Sequence, residues 1–369
     1  MDAVQKPRTR LDGVTMLRFV AAFYVFIFHM FSRVPADVPS FLGSFLYNGP
    51  VGMSFFFILS GFVLTYNYGE TPGKNYFAKR LIRIYPAYLL CGLLTYQVLI
   101  HQIISTEHNT LKFLVTNLLF LTATQSWLYT TMITWNFGGT WSVSVEMFFY
   151  AVFPFLLALL NKKNVWIFAA VAFLAAALIM PVATLYQAGL PNENLLHFVL
   201  YSGPMYRLPE FAMGMAAAKL MSKGLRVNHI AMVGVLAALV YALNQQSYGW
   251  MMHAYIIVPA FCGILIYVST NTLPAFIKPI AAPFKFFGEI SYSFYLMQVV
   301  VIVWVAEYRP PIISGNGFTG WIIAFAITTA LAYLSYYFVE KKLSIVLLKA
   351  LERYSEKRDN RMTASAKAP

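Results

Sequence analysis

Arg18 and His29 are the residues whose types and spacing point most directly to chemistry, because both interrupt the apolar run LDGVTMLRFVAAFYVFIFHMF at positions 11–31. Eleven positions make about three turns of an α-helix, so the two side chains are predicted to share one face, roughly 16 Å apart along its axis. Ionisable residues inside an apolar span usually mark a functional pathway. We therefore predict that both line a polar passage, with His29 as general base. The alternative is that Arg18 reaches the cytoplasmic edge while His29 lies in the outer interface.

A second basic motif precedes another apolar run, where NYFAKRLIRIYPAYLL places Arg80 and Arg83 three positions apart. Residues at this spacing lie on one side of a helix. Guanidinium groups bind phosphate oxygens in a bidentate manner, so the pair is a candidate site for an anionic ligand, with Arg18 contributing from the same side. The alternative is that these residues only fix membrane orientation.

Glu146, in GGTWSVSVEMFFYAVFP, is the third candidate. If this span begins near residue 141, the carboxylate lies about as far below the outer membrane surface as His29. We predict that Glu146 holds His29 in one tautomer and supports it as a base. The alternative is that Glu146 hydrogen-bonds a neighbouring hydroxyl or amide and only joins two helices.

Polar groups in two further spans are candidate substrate ligands. Ser60, next to Gly61, is predicted to line a cavity where two helices approach closely. Tyr292, Tyr295 and Gln298 recur at every third position, so their hydroxyls and amide share one side of a helix and suit a sugar. An aromatic stripe at helical spacing is also typical of simple packing.

The remaining polar residues of the apolar segments receive structural interpretations. Arg207 and Glu210, three positions apart, are predicted to form a structural salt bridge. Both cysteines lie in apolar runs, which argues against a disulfide framework or a zinc site, and we predict no metal. Five histidines fall at span ends or loops and are predicted to be interfacial: His101, His108, His197, His229 and His253.

Composition identifies the elements that must position these groups. The chain is 59% hydrophobic and only 11% charged, which indicates an integral membrane protein, and repeated apolar runs of about twenty residues make it all-α. Ten transmembrane helices are predicted, near 14–32, 49–68, 84–104, 141–160, 164–185, 204–221, 228–245, 250–269, 286–307 and 317–338. The segment 111–126 is too short to cross and is predicted to be an interfacial or re-entrant helix.

Charge distribution supports this topology. With ten spans and both termini in the cytoplasm, 22 of the 27 Lys and Arg residues fall on the cytoplasmic side, as the positive-inside rule requires. Only Arg33, Lys112 and Arg309 fall outside. The net charge of +13 is therefore a topogenic signal, and no nucleic-acid partner is expected.

Taken together and in order, these segments resemble the acyltransferase-3 family of membrane-bound O-acyltransferases. The resemblance rests on LDG before Arg18-x10-His29, SFFFILSGFVL, KRLIRIYP, TWSVSVEMFFY, RLPEFAMG, ISYSFYL and YFVEKK. It implies functional roles for Arg18, His29, Arg80 and Arg83. Many relatives carry a His where this chain has Gln298, so a chemical role at that position is not implied.

The resemblance further implies one transmembrane domain over 1–340 and a basic cytoplasmic tail over 341–369, in a bacterial inner membrane. The expected activity is transfer of acetyl from cytoplasmic acetyl-CoA to a sugar hydroxyl of an exported or cell-surface polysaccharide or its lipid-linked precursor. Transfer can be direct or pass through an acetyl-His29 intermediate. The alternative function is a transporter or flippase for a lipid-linked sugar, in which the same charges serve passage.

Overall fold

The computed structural model of the chain describes residues 12–34, 36–128, 134–187, 200–245, 252–272, 278–315 and 317–366. Within these ranges every regular element is helical, which confirms the all-α prediction. The first half contains α1 (Asp12–Arg33), α2 (Ser40–Tyr47), α3 (Val51–Tyr68), α4 (Tyr76–Leu94), α5 (Tyr96–Leu99), α6 (Thr110–Thr122), α7 (Phe137–Lys162) and α8 (Val165–Gln187). The second contains α9 (Pro204–Ser222), α10 (His229–Leu243), α11 (Val258–Thr270), α12 (Lys278–Glu289), α13 (Ser291–Tyr308), α14 (Pro311–Ser314), α15 (Gly317–Ser335) and α16 (Ser344–Ala366).

Shorter helical turns extend several of these helices. Three π-helical segments occur among the described residues, at Ile100–Thr106 after α5, His253–Ile257 before α11 and Tyr336–Leu343 between α15 and α16. A 3₁₀ turn, Gln125–Trp127, follows α6.

Several helices have the length and apolar character needed to cross a membrane. In the described chain there are six: α1, α3, α7, His253–Thr270, α13 and Gly317–Asn360. The pair α4 and Tyr96–Thr106 makes a seventh if its 55° bend lies within one span. Each of the ten predicted spans coincides with helix in its described part, but the number ten and the sidedness of the termini stay predictions.

Two predicted span boundaries differ from the helices in ways that matter for the site. α4 begins at Tyr76 rather than near 84, because the polar stretch that carries Arg80 and Arg83 is already helical. The predicted span 286–307 is two helices, since the chain breaks at Ile290 between α12 and α13. Tyr292 therefore lies in the first turn of α13.

α3 and α9 cross with their backbones in close contact. A Cβ added to Gly61 would lie 2.0 Å from the carbonyl oxygen of Phe211, and one added to Gly214 would lie 1.9 Å from that of Ile58. Two glycines thus let the backbones touch, which confirms the predicted role of the Ser60–Gly61 step. α7 packs beside this pair, with Phe149 stacked on Phe211 at 4.6 Å between ring centroids.

The C-terminal segment continues the helix that begins with α15. α16 contacts the residues just before α4, where the Asn75 amide donates to the Ser355 hydroxyl at 2.5 Å and Lys74 pairs with Asp359. The helix runs through residue 340, and the domain boundary predicted there stays a prediction.

Candidate active site

A cavity between α1, α3, α4, α7 and α13 collects most of the predicted functional residues, and we call it the arginine cavity. Its polar lining consists of Arg18, Ser60, Arg80, Arg83, Ser142, Glu146, Tyr150, Ser291, Tyr292 and Tyr295. Apolar side chains such as Phe56, Phe57 and Leu64 form the rest of the wall. The structure thus brings together the three arginines that the sequence assigned to one anionic ligand.

The three arginines are held by different means. The Arg80 guanidinium donates to the Tyr68 hydroxyl at 2.8 Å and lies 5.2 Å from the centre of that ring, while its buried Nε has no hydrogen-bond partner. Arg18 and Arg83 make no hydrogen bond or ion pair within the described chain. Most of their donors are therefore free to meet a ligand.

Two carboxylates partly balance this positive charge. Glu146 accepts a hydrogen bond from Tyr150, and it lies within electrostatic range of Arg83, Arg18 and Arg80. Glu340 accepts a hydrogen bond from Ser293 and lies within range of Arg83 and Arg18. Sequence reasoning assigned no role to Glu340, although a lone acidic residue in the closing YFVEKK motif was the signal that could have found it.

Tyr292 and Tyr295 line the arginine cavity, but their hydroxyls are bound to backbone rather than open to a sugar. Tyr292 donates to the carbonyl oxygen of Ile84 at 2.9 Å, and Tyr295 donates to that of Gly139 while accepting from the Ser142 hydroxyl at 2.9 Å. Both residues thereby join α13 to neighbouring helices.

Gln298 departs from its predicted position. Its side chain is fully buried, it lines neither cavity described here, and its amide has no hydrogen-bond partner within the described residues. On α13 it lies one turn beyond Tyr295, displaced sideways from the face that the tyrosines present. A period of three drifts across a helix of 3.6 residues per turn, which explains the difference.

His29 lines a second cavity, which we call the histidine cavity. Its other lining residues are Arg33, Gln102, Trp135, Gly138, Gly139, Val299, Ile302, Val303 and Ala306. α1 is unbroken between Arg18 and His29, so these two residues, one in each cavity, lie about 16 Å apart along one helix. Ala22 and Val25, both buried, fill the stretch of α1 between them.

The predicted pairing of His29 with Glu146 is not formed. The His29 Nδ1 lies 3.1 Å from the Arg33 Nη1, whereas Glu146 lines the arginine cavity with Tyr150. The reason is the start of α7, which begins at Phe137 instead of near 141. Gly138 and Gly139, about two turns before Glu146, are the α7 residues that line the histidine cavity, so the carboxylate lies about 10 Å further along the helix.

A third polar cluster is buried away from both cavities. The Arg207 Nη1 donates to Glu210 Oε1 at 2.5 Å, which confirms the predicted salt bridge. His253, predicted to be interfacial, is instead buried and lies 2.8 Å from the same carboxylate oxygen. The Ser54 hydroxyl completes the group at 3.2 Å from Glu210. The apolar context of His253 hid this partner, which is 43 positions away in sequence.

The remaining histidines of the described chain and the two cysteines lie outside the two cavities and the buried cluster. His197 lies outside the described residues, while His101, His108 and His229 are exposed, and their place at the membrane interface stays a prediction. Cys91 and Cys262 are buried free thiols, and no group of three potential metal ligands lies together in the described ranges.

Comparison with known proteins identifies the family of this chain. Residues 11–337 match the family described as "Acyltransferase domain", acyltransferase-3. The chain belongs to the acyltransferase-3 family. It is therefore a multi-pass membrane acyltransferase, with the motif residues Arg18, His29, Arg80 and Arg83 inside the matched region.

The individual proteins to which this acyltransferase is similar are also named as acyltransferases. It is 28% identical to acyltransferase MdmB of Streptomyces mycarofaciens, over 88% of this chain and 87% of the relative. It is 24% identical to an O-acetyl transferase of Shigella phage Sf6, over 88% and 93%. O-acetyltransferase OatA of Staphylococcus aureus is 23% identical over 92% of this chain, which spans 58% of that longer protein. No solved structure matches the chain.

Proposed function

We propose that this acyltransferase moves an acetyl group from acetyl-CoA to a sugar hydroxyl of an exported or cell-surface polysaccharide or of its lipid-linked precursor. The observation that carries the proposal is the placement of three arginines in one cavity and a histidine in another, with helix α1 contributing Arg18 to the first cavity and His29 to the second. A donor with several phosphates and a hydroxyl that must lose its proton need two such different environments. Relatives named as O-acetyltransferases support acetyl as the group transferred.

The arginine cavity is the proposed donor site. CoA carries phosphate groups. The residues of the arginine cavity offer three guanidiniums, and most of their N–H groups have no hydrogen-bond partner in the described chain, including the buried Nε of Arg80. Arg83 is exposed and suits the nucleotide phosphates at the mouth, while the half-buried Arg18 suits the inner part of the donor. The apolar wall with Phe56 and Phe57 then accommodates the pantetheine arm, which extends toward His29.

At the histidine cavity, His29 is the proposed base. A lone pair of the imidazole takes the proton of the acceptor hydroxyl, and the freed oxygen attacks the thioester carbonyl carbon. The C–S bond breaks, an O-acetyl ester forms, and the imidazole returns the proton to the departing CoA sulfur. In the covalent variant, His29 first accepts the acetyl group with release of CoA and then passes it to the sugar oxygen.

Glu146 takes a different role from the one predicted for it. Because it lies among Arg18, Arg80 and Arg83, we propose that it acts as a positioning residue for the guanidiniums of the donor site. Its carboxylate keeps mutually repelling cations in one cavity when no phosphate is bound.

The proposal includes a topology. Ten spans, cytoplasmic termini and a bacterial inner membrane would open the arginine cavity to cytoplasmic acetyl-CoA and place His29 toward the outer side, where an exported glycan is met. One acyltransferase domain would cover 1–340, with 341–369 as a basic cytoplasmic extension near anionic headgroups.

Equilibrium binding of CoA and of pantetheine to the purified protein tests the donor site and separates it from a flippase for lipid-linked sugars. Arg80→Ala and Arg83→Ala are expected to weaken CoA binding by about 10- to 100-fold each, since a hydrogen bond to a charged group contributes about 1.5–3 kcal/mol. Pantetheine, which lacks the nucleotide phosphates, should bind all variants alike. Lys79→Ala is the matched control, because Lys79 is exposed and does not line the cavity. No CoA binding by the wild type would overturn the proposal.

A further inference from the structure

The contact between Arg33 and His29 fixes which imidazole nitrogen carries a lone pair. The Arg33 Nη1 lies 3.1 Å from the His29 Nδ1, and a guanidinium can only donate. In this hydrogen bond Nδ1 is therefore the acceptor, and a neutral His29 carries its proton on Nε2. The single lone pair with which His29 can act as a base is the one that Arg33 occupies.

Arg33 itself forms no ion pair with a carboxylate in the described chain. Its other hydrogen bond goes to the Ser32 hydroxyl at 3.1 Å, and within the described chain no acidic residue pairs with it. Lys112, another basic residue on the predicted outer side, is by contrast paired with Glu107 at 2.7 Å. Arg33 is also exposed and lines the histidine cavity, so its guanidinium can move to an incoming anion.

A carboxylate beside this cavity is already bound to other groups. Glu307, next to the lining residue Ala306, receives His101 at 2.5 Å on one oxygen and the Gln102 amide at 2.8 Å on the other. Gln102 in turn accepts from the backbone N–H of Trp135 at 3.1 Å. The polar groups on this side of the cavity therefore already have hydrogen-bond partners. Arg33, by contrast, lines the cavity without an acidic partner in the described chain.

We propose that Arg33 is an anion subsite of the histidine cavity, and that the acceptor carries a carboxylate or phosphate close to the hydroxyl that is acetylated. Binding of that anion draws the guanidinium off Nδ1 and releases the lone pair to take the hydroxyl proton. An acidic acceptor thereby activates its own base, and water alone does not. The identity of the ligand as the acceptor rests on the proposed function; Arg33 binds the anion of this ligand and thereby controls the lone pair of His29.

The test is the rate at which diethyl pyrocarbonate modifies His29, which reports the availability of its lone pair and requires no acetyl transfer. His108, which is exposed and outside both cavities, is the internal reference. The ratio of the His29 modification rate to the His108 modification rate, here the His29 ratio, is measured by peptide mass spectrometry on protein in neutral detergent. Galacturonate and galactose 1-phosphate are the probes, and galactose is the neutral control. We expect one or both anionic sugars to raise the His29 ratio several-fold and galactose to leave it unchanged.

Arg33 variants complete the experiment. Arg33→Gln should raise the ratio without any probe and abolish the response to anions, while Arg33→Lys should keep the response. Arg33 is exposed and bonds only within its own helix, so both variants are expected to fold. Equal effects of galacturonate, galactose 1-phosphate and galactose, or an unchanged ratio in Arg33→Gln, would overturn the proposal. So would a response to phosphatidylglycerol alone, which would assign Arg33 to a lipid headgroup. Loss of acetyl transfer with this labelling pattern intact would contradict only the proposed function.

Discussion

The hydroxyl of Tyr295 donates a hydrogen bond to the carbonyl oxygen of Gly139, and this contact joins the walls of the two cavities. Tyr295 lines the arginine cavity, whereas Gly139 lines the histidine cavity. In the proposed function, the thioester arm of CoA passes this boundary on its way from the arginine cavity to His29. Tyr295 would then separate the arginine cavity from water in the histidine cavity.

Tyr295→Ala should therefore raise the hydrolysis of acetyl-CoA in the absence of acceptor, because the removed ring leaves a water-accessible gap. Tyr295→Phe keeps the ring and loses two hydrogen bonds, to Gly139 and Ser142, worth about 1 kcal/mol each, so its hydrolysis of acetyl-CoA should remain close to wild type. The measurement is release of free CoA thiol from purified protein. Equal hydrolysis by Tyr295→Ala and wild type would show that Tyr295 does not form the boundary.

Glu146→Gln should strengthen CoA binding, because it removes a negative charge from a cavity that holds three arginines. A gain of about 1 kcal/mol, roughly fivefold in Kd, is expected for a charge at this range. Tyr150→Phe removes the hydrogen bond to Glu146 and leaves the charge, so its effect on Kd should be smaller. If Glu146 served His29 instead, Glu146→Gln would impair acetyl transfer and leave the Kd of CoA unchanged.

Glu210→Ala should destabilise the fold strongly. It leaves Arg207, which is 3% exposed, without its carboxylate, and breaking one partner of a buried ion pair costs about 3–5 kcal/mol. Thermal unfolding in detergent would show this as a lowered Tm. Glu107→Ala, which removes the partner of Lys112 at the surface, is the control and should change stability by less than about 1 kcal/mol. Similar shifts for both variants would contradict a structural role for the buried cluster.

The ten-span topology predicts opposite labelling of two surface positions. Arg309→Cys should react with a membrane-impermeant maleimide added to intact cells, and Lys163→Cys should react only after the membrane is opened. Both native cysteines are buried, so they give little background. The same accessibility at both positions would contradict the assignment of sides.

Much of the arginine cavity could be predicted from sequence, because the positions of its charged residues depend on local spacing. Arg80 and Arg83 follow each other within one helix, and Arg18 shares an apolar run with His29. Each was singled out as an ionisable group in or beside an apolar segment. Their convergence in one cavity requires only that the N-terminal parts of α1 and α4 lie side by side.

The partner of His29 could not be predicted in the same way. Assigning Glu146 to it required the start of α7 to within one turn, and four residues of error correspond to about 6 Å along the helix. The actual neighbour, Arg33, lies on the same helix one turn away, a spacing at which side chains meet. The sequence interpretation treated Arg33 only as an outside charge. His253 was missed because its partner Glu210 lies on a different helix, and no local pattern encodes that contact.

The measurement that tests the account most directly is transfer of radiolabelled acetyl from acetyl-CoA to cell-surface glycan in membranes that contain His29→Ala. CoA binding by the same variant shows whether the donor site is intact, and His108→Ala is the control for loss of a histidine. We predict that His29→Ala binds CoA like wild type and transfers no acetyl above background. Wild-type transfer by His29→Ala would contradict the assignment of His29 as the residue that receives the proton or the acetyl group.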